Sequence, residues 1–231
     1  MGDVVELARD DARKLTLVLR RGEGSPLEVV DSAGALFAAT LLPAPSGAHA
    51  RLDAALQRPA APRLTLTLAQ GVPKGQKMDF VVEKATELGV ARIVPFYGER
   101  SAGDATRPGK VERWRRIARS AAQQCGRLDV PEVAEPLDFA ALAGTFATYG
   151  RALVPWELAD PVPLRDVLPP LVAEVTSLLI AIGPEGGLSR AESDAATAAG
   201  AVPISLGRRI LRTETAGLVA CTAALYASGD I

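Results

Sequence analysis

The chain has 231 residues, 48% of them hydrophobic, and a formal net charge of −1. That apolar content excludes a disordered chain, and the length suits a small domain joined to a larger one. No run of about 18 apolar residues suggests a membrane span, and the opening Met1-Gly-Asp-Val-Val5 has neither block of a secretory signal.

Residues 1–62 read as a small β-rich module. Two apolar runs, Leu27-Glu-Val-Val30 and Ala35-Leu-Phe-Ala-Ala39, flank the turn-like Asp31-Ser-Ala-Gly34. Asp11 to Arg20 stays open between two forms: Leu15, Leu17 and Leu19 alternate as in a strand, while the acidic start suits a helix. The single histidine, His49, falls in an Ala/Pro-rich stretch that reads as loop, so a His-based triad and a His-rich metal site are excluded. Gln57-Arg-Pro-Ala-Ala-Pro62 reads as a linker.

Residues 63–231 alternate strand and helix. Leu64-Thr-Leu-Thr-Leu68 leads through a basic turn, Lys74-Gly-Gln-Lys77, to a helix from Met78 to Leu88 that stops at Gly89. A strand over Arg92–Phe96 follows. The next helix carries Trp114, Ile117, Ala118, Ala121, Ala122 and Cys125 at spacings of three and four. Further strands are predicted at Ala152–Val154, Leu178–Ile182 and Val202–Leu206, with helices over 189–199 and about 214–228. The pattern is α/β with a mostly parallel sheet. Cys125 and Cys221 both lie in helical patterns of small apolar residues and read as reduced core thiols of a cytoplasmic protein.

Charge is distributed unevenly. Lys110, Arg113, Arg115, Arg116, Arg119 and Arg127 face only Glu112 between positions 110 and 127, and such a patch can hold phosphates on a chain that is neutral overall. Lys74, Lys77, Arg100, Arg113, Arg116, Gln124 and Arg127 are the candidate RNA contacts, and Trp114 is assigned to the core.

The last two predicted strands end in unusual loops. Gly183-Pro-Glu-Gly-Gly187 precedes Ser189-Arg-Ala-Glu192, which has the form of a capping box. Gly207-Arg-Arg-Ile-Leu-Arg-Thr-Glu-Thr-Ala216 opens the final helix. Ligands of parallel sheets sit beyond the carboxyl ends of strands, so a crevice between these loops is the leading site. No Gly-Lys-Ser/Thr makes it a P-loop, and its late position disfavours an ordinary dinucleotide site.

Five segments together resemble the ribosomal RNA small subunit methyltransferase E family, a branch of the SPOUT superfamily. They are Lys74-Gly-Gln-Lys-Met-Asp-Phe-Val-Val-Glu-Lys-Ala-Thr-Glu-Leu-Gly-Val90, Glu99-Arg-Ser101, Arg113-Trp114 through Arg127 with Val130-Pro-Glu-Val133, Ile182–Ser189, and Leu206–Ala216. The resemblance implies a small PUA-like β-barrel, an α/β SPOUT domain with a trefoil knot, and a homodimer. It implies S-adenosyl-L-methionine held by the loop after Leu153, by Gly183, Pro184, Glu185, Gly186 and Gly187, and by Leu206, Gly207, Ile210, Leu211, Thr215 and Ala216. The implied reaction is methylation of uridine N3 in 16S ribosomal RNA of the small ribosomal subunit, without metal or membrane. Arg212 suits stabilisation of the uridine anion, and Glu214 or Glu185 suits the proton acceptor. Two alternatives stay open: a SPOUT methyltransferase acting on another RNA, and a non-catalytic RNA-binding ribosome-assembly protein.

Overall fold

The computed structural model describes residues 2–43, 47–101, 109–156 and 161–231. The chain forms two compact units, Met1–Ala61 and Pro62–Ile231.

The first unit is a four-stranded antiparallel sheet in the order β1-β4-β3-β2, built from β1 (Val4–Glu6), β2 (Pro26–Val30), β3 (Leu36–Pro43) and β4 (Ala48–Leu56). The β2–β3 turn is held by Asp31, whose Oδ1 accepts the N–H groups of Ala33 and Ala35, and Gly34 supplies the positive φ of 84° that the turn needs. Between β1 and β2, α1 (Arg9–Arg13) runs straight into a π-helical segment, Lys14–Val18. The ambiguity over Asp11–Arg20 thus resolves as helix, with Ala12 buried against Leu41 and Ala48. His49 is not in a loop. It sits in β4, paired with Glu6 and Leu42, because the small Ala48 and Ala50 fill the buried face.

The second unit comprises β5 (Thr65–Gly71), α2 (Lys77–Leu88), β6 (Arg92–Tyr97), α3 (Lys110–Cys125), β7 (Glu132–Val133), β8 (Leu137–Asp138), α4 (Phe139–Ala143), β9 (Arg151–Pro155), β10 (Val162–Pro163), α5 (Leu164–Glu174), β11 (Ser177–Ile182), α6 (Arg190–Ala198), β12 (Val202–Ser205) and α7 (Thr213–Ser228). Its sheet runs β10-β12-β9-β11-β5-β6-β7, with β8 also on β6, and all described pairings are parallel. Both faces are covered. Leu66, Leu68, Ile93, Leu178 and Ile180 point into the core shared with α2, α3, α5 and α7, while Val94, Phe96, Leu179 and Ala181 pack with α4 and α6. Each fully buried leucine or isoleucine is worth about 1.5–3 kcal/mol of transfer free energy, and this two-sided burial explains why the strands read as unbroken apolar runs.

Helix α5 escaped sequence reading because Pro169 and Pro170 interrupt it. Prolines remove two backbone donors, yet Leu164, Leu168, Leu171 and Val172 form a buried stripe that carries the helix. Cys125 also departs from expectation. Cys221 is fully buried, but Cys125, at the last turn of α3, is exposed because the helix leaves the core there. At the unit's two ends, Asp230 accepts hydrogen bonds from the N–H groups of Arg63 (2.7 Å) and Leu64 (3.0 Å) and from the Ser228 hydroxyl (2.7 Å).

Candidate active site at the strand ends

Parallel strands deliver their carboxyl ends to one edge of the sheet, where their loops converge. Beyond Ile182, Gly183–Leu188 crosses the start of α7. The Thr213 hydroxyl donates to the Gly183 carbonyl at 2.5 Å and accepts from Gln70 Nε2 at 2.8 Å. Glu185 reaches the amino end of α2, where it accepts the Lys74 N–H at 3.0 Å and Lys77 Nζ at 3.1 Å. A carboxylate is favourable at that positive helix end. Lys77 Nζ also lies 3.5 Å from Glu214 Oε2. The loops 183–187 and 206–216 therefore meet, joined by one hydroxyl and one lysine.

Hydrogen bonding to Glu185 holds the Lys77 ammonium above its usual range. Burial pushes the Glu185 carboxyl up, but the bonds from the Lys74 N–H and Lys77 outweigh it and leave the group below the usual carboxylate range. Glu214 Oε2 is buried and, among the described residues, has no hydrogen-bond partner beyond the long ion pair with Lys77 at 3.5 Å.

The individual candidates divide. Within the first loop, the Gly187 N–H donates to the Pro184 carbonyl at 2.8 Å and Gly187 adopts φ 68°, so the segment is a tight turn. Pro184 is buried, whereas Glu185, Gly186 and Gly187 face solvent. Leu206 and Leu211 are partly buried on the main core. Gly207 takes φ 108°, Arg212 is the exposed N-cap residue of α7, Thr215 is exposed and Ala216 is buried. Two candidates lie at the extremes of exposure. Leu153 is 0% exposed inside β9, paired with Ile180 and Val202, so its side chain belongs to the core. Ile210 is 84% exposed and forms no wall within one chain, since residues 207–210 swing out to solvent. Trp156 follows β9, with Arg190 stacked over its ring at 5.5 Å, and the expected loop then enters 157–160, outside the described residues.

The basic candidates also divide. Lys74 and Lys77 serve the Glu185 contact, and Arg100 Nη1 donates to the carbonyls of Gly186 and Leu188. All three thus border the loop. Arg113 pairs with Asp79. Arg116, Arg119 and Gln124 are exposed on α3. Arg127 is turned inward: its Nη1 donates to the carbonyls of Thr86 and Val90 at the end of α2, a structural use that removes it from the surface patch.

Gln70 lay outside every candidate segment, and Thr213 lay within Leu206–Ala216 without a role of its own. The one available signal was Gln70 itself, an amide closing the otherwise apolar end of β5. Two surface depressions lie away from this crossing, one beside Arg115, Arg116 and Val130–Val133 and another beside Arg9 and Arg13. The hydrogen-bonded crossing carries the chemical argument, because those depressions lack convergent buried polar groups. Among the described residues no acidic, histidine or cysteine cluster could hold a metal, and no helix is long and apolar enough to cross a membrane.

The RNA methyltransferase domain family matches residues 60–225. The chain is 38% identical over 165 residues to ribosomal RNA small subunit methyltransferase E of Bacillus subtilis, covering 69% of this chain and 64% of that protein, just under two thirds of its length. It is 32% identical over 229 residues to the protein of that name from Mycobacterium tuberculosis, covering 95% and 85%. Among solved structures, the Neisseria gonorrhoeae ribosomal RNA small subunit methyltransferase E bound to S-adenosyl methionine superposes with a TM-score of 0.85 at 30% identity, covering 96% of this chain and 91% of that one. A Legionella pneumophila methyltransferase in complex with its bound cofactor SAM gives 0.86 at 30% identity, covering 98% and 93%. On the matched domain and these likenesses, the chain belongs to the ribosomal RNA small subunit methyltransferase E family of RNA methyltransferases.

Proposed function

We propose that this protein is an S-adenosyl-L-methionine-dependent methyltransferase acting on N3 of a uridine in 16S ribosomal RNA. The observation that carries the reading is the convergence of Gly183–Gly187 and Leu206–Ala216 through Thr213 and Lys77. The residues present fit the methyl donor. The turn backbone of 183–187 offers polar contacts, Leu206 and Leu211 offer apolar surface for an adenine, and the buried Glu214 Oε2, whose neighbour is Lys77 Nζ at 3.5 Å, keeps capacity to accept from a ligand donor.

When bound, the sulfonium supplies an already activated methyl group. The chain's own task is then alignment and charge management. With the donor bound, Glu214 would accept the imino proton that uridine N3 must lose to take the methyl group. Arg212, beside it at the start of α7, stabilises the negative charge spreading to the uracil oxygens, an interaction worth about 3 kcal/mol. Lys74, Arg100, Arg113 and Arg116, together with a PUA-like first unit, hold the RNA backbone.

The same reading includes a trefoil knot formed by the last segment of the second unit, a cytoplasmic location and a homodimer. The exposed Ile210, Val219 and Tyr226 support the dimer. Calorimetric titration with S-adenosyl-L-methionine, followed by nucleoside analysis of 16S RNA and 30S particles after incubation, tests the proposal. Micromolar binding and 3-methyluridine are expected. Cofactor binding with a different methylated nucleoside overturns the substrate, and absence of binding overturns the enzyme.

A further inference from the structure

Gln70 is wholly buried at the end of β5, and its Oε1 has no hydrogen-bond partner among the described residues. A buried acceptor left unpaired is unfavourable, so an apolar residue would serve the strand better. The amide's orientation is dictated by its neighbours. Nε2 donates to the Gly71 carbonyl at 3.2 Å and to the Thr213 hydroxyl at 2.8 Å, while the single Thr213 proton goes to the Gly183 carbonyl. Turning the amide over would set two acceptors, Oε1 and the Gly71 carbonyl, against each other. The relay therefore runs one way, from Gln70 through Thr213 to Gly183.

Two glycines let it close. A Cβ on Gly71 would lie 2.4 Å from Pro184 N and 2.8 Å from the Gly183 carbonyl carbon, and a Cβ on Gly217 would lie 2.8 Å from Gln70 Oε1. The first meets backbone, so a side chain at position 71 would force apart β5 and the 183–184 backbone; the second meets the end of the Gln70 side chain, so a side chain at position 217 would push that amide from its place in the relay.

We propose that Gln70 and Thr213 are positioning residues for the methyl-donor site. They lock the Gly183 carbonyl and the Arg212–Glu214 segment into the register the cofactor requires, acting through the loops and not on the reacting atoms. Thr213 stands between Arg212 and Glu214, so its hydroxyl fixes the backbone of both, the exposed Arg212 on one side and the half-buried Glu214 on the other. Loops ordered in advance spare the ligand that ordering cost on binding. This inference rests on the methyl-donor reading above.

The test compares Thr213→Val, Thr213→Ser, Gln70→Leu and the Gln70→Leu/Thr213→Val pair in the full chain, by calorimetric Kd for S-adenosyl-L-methionine and by Tm. Thr213→Val is expected to weaken binding about tenfold, the value of one hydrogen bond. Thr213→Ser, which keeps the hydroxyl, should stay close to wild type. The double variant should be no weaker than the worse single one, because each breaks the same relay. Wild-type affinity in Thr213→Val, equal weakening in Thr213→Ser, or fully additive losses would each overturn the relay while leaving the functional reading intact. Wild-type protein that does not bind the cofactor removes both.

Discussion

The strand-end crossing and the outer face of α3 both carry charge, and they hold it in opposite ways. At the crossing, one lysine is shared between Glu185 and Glu214, a hydroxyl ties a loop to a helix start, and Gly71 permits an approach to the 183–184 backbone that no Cβ would survive. On α3, Arg116 and Arg119 stand in solvent, and the partly exposed Arg115 pairs with Glu112 at 2.7 Å and Glu135 at 2.9 Å and donates to the Val133 carbonyl at 3.1 Å. A site that aligns reacting atoms needs short, directional contacts. A surface that receives a polyanion needs mainly charge density. The two regions should therefore answer differently to substitution, salt and pH.

The largest separation is expected from Arg212→Ala. Turnover should fall by about a hundredfold, the scale of losing one preorganised donor to a developing anion, with cofactor affinity nearly unchanged. Single-turnover kinetics beside calorimetry measures both, and turnover near wild type removes Arg212 from the mechanism. Next in size, Arg116→Glu with Arg119→Glu should weaken RNA binding about tenfold and flatten its salt dependence, because fewer counterions are released. Cofactor affinity should not move. An unchanged salt slope in filter binding would take α3 out of the RNA interface.

Lys77→Met should have a smaller effect, about threefold on cofactor affinity, since the pair is largely solvent-screened. Its pH dependence follows from the two shifts. Lys77 is raised, so its contribution is complete below the usual 10.5 and fades as pH climbs through the higher folded value. Glu185 is lowered, so its contribution holds above the usual 4.5 and fades only as pH drops through the lower folded value. The wild-type-to-variant difference should thus be flat from about pH 6 to 9. A slope there, in titrations at several pH values, would show that another titrating group controls the contact. The smallest effect concerns thiols. A maleimide should label Cys125 in the folded protein and spare Cys221, whose thiol burial pushes up to about 12. Mass spectrometry finding two rapid adducts would contradict the packing of α7.

The parallel sheet was legible because strands buried on both faces announce themselves as apolar runs, and Gly89 and the Ser189–Glu192 capping box punctuate their helices clearly. The loops 183–187 and 206–216 were legible as loops for the same reason, since each follows an apolar run. Helix α5 was not, because paired prolines mask a stripe whose strength lies in tertiary contact. The burial of Leu153 inside β9 and the exposure of Ile210 were not legible, because sequence cannot tell which side of a strand end or loop turns inward. Arg127 looked like a surface cation, yet its guanidinium serves two carbonyls of a helix nearly forty residues earlier. The Gln70–Thr213 relay spans 143 positions, a separation at which local pattern carries no information.

The carboxylate of Asp230 has a mechanical consequence. It clasps the amides that lead into β5 and the hydroxyl that ends α7, and β5 is an interior strand of the sheet. Fraying of the tail is consequently not a local event. The final turn can loosen only by releasing the threshold of a central strand, so the two should exchange their amide hydrogens as one cooperative unit.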